Sequence, residues 1–180
     1  CYQHYPAEAK AVNNPIVPYN IPGRSVVNIA PETIARLAKI PNIVSVKEAS
    51  GSMDQTSHIR SLCDIDILSG DDSLTLPLMA LGAKGVISVL SNVLPKEVSQ
   101  MVDAFFAGDH DKAQKLHYKI FPLCRAMFIE TNPIPIKRAM KLMGLCEDEI
   151  RLPLCEMQPH NEKLLIKAMK EFGLPLKVKA

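Results

Sequence analysis

The chain has 180 residues, 47% of them hydrophobic, which is enough for one full-sized buried core. Its net charge of +2 is the small difference between 21 basic and 19 acidic residues, spread without a run, and gives no electrostatic argument for nucleic acid or a membrane surface. Five cysteines (Cys1, Cys63, Cys124, Cys146 and Cys155) form no CxxC pair, and no apolar stretch approaches the roughly 18 residues that span a bilayer. The expectation is a reduced, cytoplasmic protein, neither a disulfide scaffold nor a zinc site. No signal peptide is read at the start; the first residue is Cys1 rather than methionine, so the sequence reads as a piece of something longer.

In chain order, "YQHYPAEAKAV" looks like the end of a helix feeding the first strand. Short apolar runs at 15–20, 42–50, 65–71 and 85–92 read as strands. Helix-like stretches at 30–40, 53–63 and 72–82 lie between them. Pro31 with Glu32 makes a good helix start, and Gly82 a good stop. Strand and helix in alternation with short connections mean βαβ units and a parallel sheet. From residue 95 the apolar spacing is helical only, over 95–109, 111–130, 135–145 and 161–173.

Four βα units make half of an eight-stranded barrel. The expected fold is therefore α/β: the second half of a (β/α)8 TIM barrel over residues 1–94, then the last barrel helix and a helical appendix over 95–180. An open sheet of four or five strands is the alternative. Half a barrel leaves strand edges unpaired at "PIVPYN" and "GVISVLSN", so these residues alone are expected to self-associate and to be inactive.

Lys47 ends a run of β-branched residues that reads as a buried strand. Burying an ammonium is costly unless it is paired or gives up its proton. By alternation Val44, Val46 and Glu48 share one face, and Ile43, Ser45 and Lys47 the other. If Val44 and Val46 pack under helices, Lys47 points into the barrel at the strand's C-terminal end, where such folds keep their active sites. A neutral amine there can attack a carbonyl to form a Schiff base. The plain alternative is a strand-end lysine that reaches solvent or pairs with Glu48. Tyr19 ends the preceding strand and could relay protons, although a rim tyrosine is commonly structural. Arg24, in a Pro-Gly turn, suits a carboxylate, although most loop arginines are simply solvated. Asp71 and Asp72 fall between strand and helix, where capping is the stronger reading. Gly70 allows close approach to the backbone. The five histidines show no ligand spacing, so no metal is expected, and Met127, Met140, Met143 and Met169 read as helical core.

"YNIPGRS", "VKEASG", "LSGDDSLTLPLMALGAKGVISVLSNVLP" and "IETNPIPIKRAMKLMGL" closely resemble the dihydrodipicolinate synthase family of the pyruvate-dependent class I aldolases, along nearly the whole chain. The resemblance implies a lyase that condenses pyruvate with aspartate semialdehyde in lysine and diaminopimelate biosynthesis, without cofactor, as a dimer or tetramer. It implies that Lys47 forms the pyruvate imine, that Tyr19 relays protons, and that Arg24 holds a substrate carboxylate. Gly70 and Ile87 take the positions that line the pyruvate pocket. The family's first four βα units have no counterpart here, nor do the threonine pair and the partner-lent tyrosine they carry. Pro18 stands where an interior strand should donate a hydrogen bond, and Pro6 where a helix should continue. Another pyruvate aldolase, such as an N-acetylneuraminate lyase-like enzyme, or a non-catalytic remnant, are the competing readings.

Overall fold

The computed structural model describes residues 2–177, so Cys1 lies outside them. The chain divides into two compact units, residues 1–88 and 89–180.

In the first unit, α1 (His4–Ala11) precedes β1 (Tyr19–Asn20) and a four-residue helix, α2 (Pro22–Ser25). Then come α3 (Pro31–Leu37), β2 (Ser45–Glu48), α4 (Met53–Leu62), β3 (Asp66–Ser69), α5 (Thr75–Ala80) and β4 (Gly85–Val86). Among the described residues four strands form one parallel sheet in the order β1-β2-β3-β4. The registers pair Tyr19 with Lys47, Asn20 with Glu48, Lys47 with Leu68, and Ser69 with Val86. One face of the sheet is sealed: Val46 and Ile67 are wholly buried and pack with Ile34, Leu37, Ile59 and Leu78 from α3, α4 and α5. Burying such a side chain contributes roughly 1.5–3 kcal/mol.

Four expectations change here. The strand read over 85–92 is only Gly85–Val86, followed by a 3-10 turn at Leu90–Asn92. Its β-branched residues favour a strand, but Ser88 bonds Asp72 and Asn92 N–H turns back to the Val89 carbonyl. The strand read over 15–20 is regular only at Tyr19–Asn20, with a single bridge from Ile16 to Ile43. Val44 is exposed while Ile43 is buried, because regular pairing begins at Ser45 and the alternation restarts there. Pro6 interrupts nothing: α1 begins at His4, so the proline sits in the first turn, where no helical N–H bond is due.

The second unit is helical: α6 (Pro95–Phe106), α7 (His110–Ala126), α8 (Ile134–Leu142) and α9 (Pro159–Phe172). Pro95 opens α6, Asp109 caps α7 by accepting from Lys112 N–H at 3.0 Å, and Gly173 ends α9 at φ +90°. Helix α6 packs on α7, and α9 on both α7 and α8. Met127 and Met169 are fully buried. Arg138 donates to Glu162 at 2.7 Å and to Asp148 at 2.8 Å, and Lys141 donates to Asp148 at 2.8 Å. Among the described residues no helix is long and apolar enough to cross a membrane.

Candidate active site

The open face of the sheet carries the chemistry. Because Tyr19 and Lys47 are register partners on adjacent parallel strands, their side chains leave the sheet on the same side. Lys47 Nζ lies 3.9 Å from the Tyr19 ring centroid. Lys47 is half-buried, and Leu68 is its neighbour on β3. The backbone beneath is anchored: Lys47 N–H donates to the Pro18 carbonyl at 2.9 Å, and Ala49 N–H to the Asn20 carbonyl at 2.8 Å. Pro18 therefore lacks an N–H to give but still accepts the bond that fixes Lys47.

Gly70, one residue past β3, sits against the lysine stem. A Cβ there would fall 2.7 Å from Ala49 Cβ and 3.1 Å from Lys47 Cε. Room left by the glycine is thus taken by Lys47 and Ala49. Ile87 extends the β3–β4 ladder by one bond, its N–H donating to the Ser69 carbonyl at 2.9 Å, and its side chain is exposed. Arg24 is exposed on α2, and its guanidinium makes no hydrogen bond or ion pair with another described residue. The structure brings Lys47, Tyr19 and Gly70 together, puts Ile87 on the adjoining ladder, and leaves Arg24 in the turn beyond β1. That turn ends at Val26, which is 91% exposed and left-handed at φ +61°. A β-branched residue in this region is strained by about 1–2 kcal/mol.

Of the two plain alternatives for Lys47, solvent or Glu48, the pairing with Glu48 does not form. Glu48 leaves β2 on the sealed face, 2% exposed, and accepts from Asn20 Nδ2 at 3.0 Å, Ser50 N–H at 2.7 Å and Gln55 Nε2 at 3.1 Å. This network was missed because its members are scattered along the chain; the one available signal was a carboxylate among buried strand residues. Asp71 accepts from Ser73 N–H at 2.9 Å and caps the turn that opens α5, while the buried Asp72 bonds Ser88. Tyr5, on α1, is a second tyrosine beside β1. Burial and the Glu8 carboxylate push its hydroxyl pKa up, against the Tyr19 backbone N–H. Among the described residues no group of three or more His, Cys, Asp or Glu could hold a metal ion.

Comparison with known proteins decides the lineage. The model of the dihydrodipicolinate synthetase family matches residues 1–172. The chain belongs to that family. A relative named 4-hydroxy-tetrahydrodipicolinate synthase, from Geobacter sulfurreducens, is 56% identical over 174 residues, which are 96% of this chain and 60% of the relative. The dihydrodipicolinate synthase of Aquifex aeolicus superposes with a TM-score of 0.96 at 48% identity, over 98% of this chain and 61% of that one. The chloride-inhibited dihydrodipicolinate synthase of Acinetobacter baumannii, complexed with pyruvate, gives 0.92 at 41%, over 97% and 60%. Within the dihydrodipicolinate synthetase family, then, this chain spans about 60% of the length of the relatives it matches.

Proposed function

We propose that the protein is a Schiff-base-forming lyase that condenses pyruvate with aspartate semialdehyde to 4-hydroxy-tetrahydrodipicolinate, a step of lysine and diaminopimelate biosynthesis. The observation that carries this is the Lys47–Tyr19 pair on the open face of a parallel sheet, in a chain 56% identical to a relative of that name. The Lys47 amine adds to the keto carbon of pyruvate; loss of water gives the imine, and loss of a methyl proton gives the enamine. The enamine carbon attacks the aldehyde, and the second substrate's amine then adds to the imine carbon, closing the ring and expelling the Lys47 amine. Tyr19, against the amine, moves the protons of these steps. Arg24 faces solvent with its donors available to a substrate carboxylate, and Gly70 and Ile87 complete the pyruvate side. The protonated imine is itself the electron sink that makes the pyruvate methyl protons acidic, so the scheme uses neither metal nor organic cofactor. A cytoplasmic homo-oligomer, dimer or tetramer, belongs to the same proposal.

The test is borohydride reduction in the presence of pyruvate, at the full length of the relatives, followed by peptide mass mapping. A reduced pyruvate adduct on Lys47 is expected. An adduct on Lys84 or any other lysine, with none on Lys47, overturns the assignment. Tyr19→Phe is expected to lower turnover by about 10²–10⁴-fold while pyruvate still binds, because proton transfer alone is lost. Turnover equal to the parent protein sinks the relay role.

A further inference from the structure

The Tyr19–Lys47 pair is followed, one register position on, by a second pair facing the other way. Asn20 and Glu48 leave the sheet on its sealed side, 0% and 2% exposed. Asn20 Nδ2 lies 3.0 and 3.3 Å from the two Glu48 oxygens and 2.9 Å from Asn28 Oδ1, and its Oδ1 accepts from Ile29 N–H at 2.9 Å. Glu48 also accepts from Ser50 N–H and from Gln55 of α4, whose own side chain returns to Asn28 at 3.2 Å. Each of these partners is a neutral donor. A buried carboxylate without a cation is an expensive way to join two strands and needs an account beyond packing.

Backbone pairing between β1 and β2 is thin. Strand β1 has two residues, and Pro18 has no N–H to contribute. So few ladder bonds leave the register to the side chains, and a one-residue slip would exchange every side chain between faces. The Asn20–Glu48 bond opposes that slip. The Asn20 side chain also closes the segment from 21 to 28 by its bonds to Asn28 and Ile29, and that segment holds Arg24.

We propose that Asn20 and Glu48 are positioning residues: their buried side-chain bond holds the register that sets Tyr19 over Lys47 and ties down the turn bearing Arg24. The proposal rests on the imine reading for its effect on turnover, and on geometry alone for its effect on the pair. Glu48→Gln keeps shape but sets an amide donor among donors. Asn20→Asp sets carboxylate against carboxylate. The double variant restores one donor–acceptor pair with its direction reversed.

Two readouts at the relatives' full length separate the proposals. The first is the ¹H shift of the Lys47 side-chain methylenes, which the nearby Tyr19 ring displaces. The second is turnover per site able to form the pyruvate adduct. In Glu48→Gln the methylene shift should move toward its unstacked value. Turnover should fall by about 10²-fold, the effect of slight misplacement, with a much smaller change in KM for pyruvate. The double variant should recover at least about tenfold of that loss, the mark of coupled neighbours. An unmoved methylene shift in folded Glu48→Gln, or a double variant no better than the worse single, overturns the proposal. If the parent protein forms no adduct on Lys47, the imine reading fails while the methylene shift still decides the positioning role. If Glu48→Gln does not fold, Gln55→Ala removes one donor from the same carboxylate; a smaller shift in the same direction is expected there, and no shift overturns the claim.

Discussion

Glu48 in the strand unit and Asp148 in the helical unit are both carboxylates drawn away from water, and their partners differ in kind. Glu48 is almost wholly buried and is held by amide N–H groups. Asp148 keeps 29% of its side chain exposed and is held by Arg138 and Lys141. The first arrangement depends on direction and fit, since neutral donors serve only where they point. The second depends on charge, and so on pH and salt. The candidate site lies in the unit whose buried carboxylate is held by direction and fit.

Three experiments break or sharpen that contrast. Gly70→Ala should act most strongly, because its Cβ meets Ala49 and the Lys47 stem with no open space to take it; overpacking of this kind costs about 1–3 kcal/mol. The loss, read from urea midpoints, should be the same at low and high salt, and slower adduct formation at Lys47 should accompany it. A loss that salt abolishes would contradict the shape-based account. Val26→Gly should stabilise the same unit by about 1 kcal/mol, since glycine takes the left-handed backbone without strain. No gain in midpoint would mean that Val26 is held by contacts its exposure does not reveal.

The smallest effect is expected in the helical unit. Burial alone would raise the Asp148 carboxyl pKa, but bonds from Lys141 and Arg138 outweigh it and hold the group below the usual carboxylate range. A folded pKa below the unfolded one gives stability that is complete above the unfolded value, about 3.9, and is lost as pH falls through the folded value. Asp148→Asn should therefore flatten the acid limb of thermal unfolding, by about 1 kcal/mol at most for a group this near the surface. An acid limb unchanged by the substitution would sink the charge-based account of this unit.

Much of the frame was legible along the chain. Pro31 and Pro95 open helices as their φ and missing N–H predict, and the apolar spacing after residue 95 gives helices α6 to α9. Tyr19 and Lys47 were both read as strand-end residues, and the register that sets them on one side is a finding of the structure. Illegible parts depended on partners distant in sequence. Val86, Ile87 and Val89 promise a long strand, and nothing near them reveals that Ser88 will bond Asp72, sixteen residues earlier. Glu48 read as a lysine's neighbour because its donors come from positions 20, 50 and 55. Arg24 was placed by composition in a turn, and the turn is there, but no periodicity could fix where its side chain reaches.

Alternation along β1 and β2 also governs which genetic changes the strand unit can absorb. Candidate chemistry and buried support occupy consecutive codons, 19 with 20 and 47 with 48, on opposite faces. A substitution at one of them disturbs one face. Deleting or inserting a single codon just before 47 would send Lys47 into the apolar layer and Glu48 to the open side, and one just before 19 would exchange Tyr19 and Asn20 in the same way, so both faces fail at once. Length variation should therefore be absent from these two strands and tolerated at surface turns such as the one around Gly108, and a deletion scan across residues 18–48 should show the sharpest intolerance at the two strand ends.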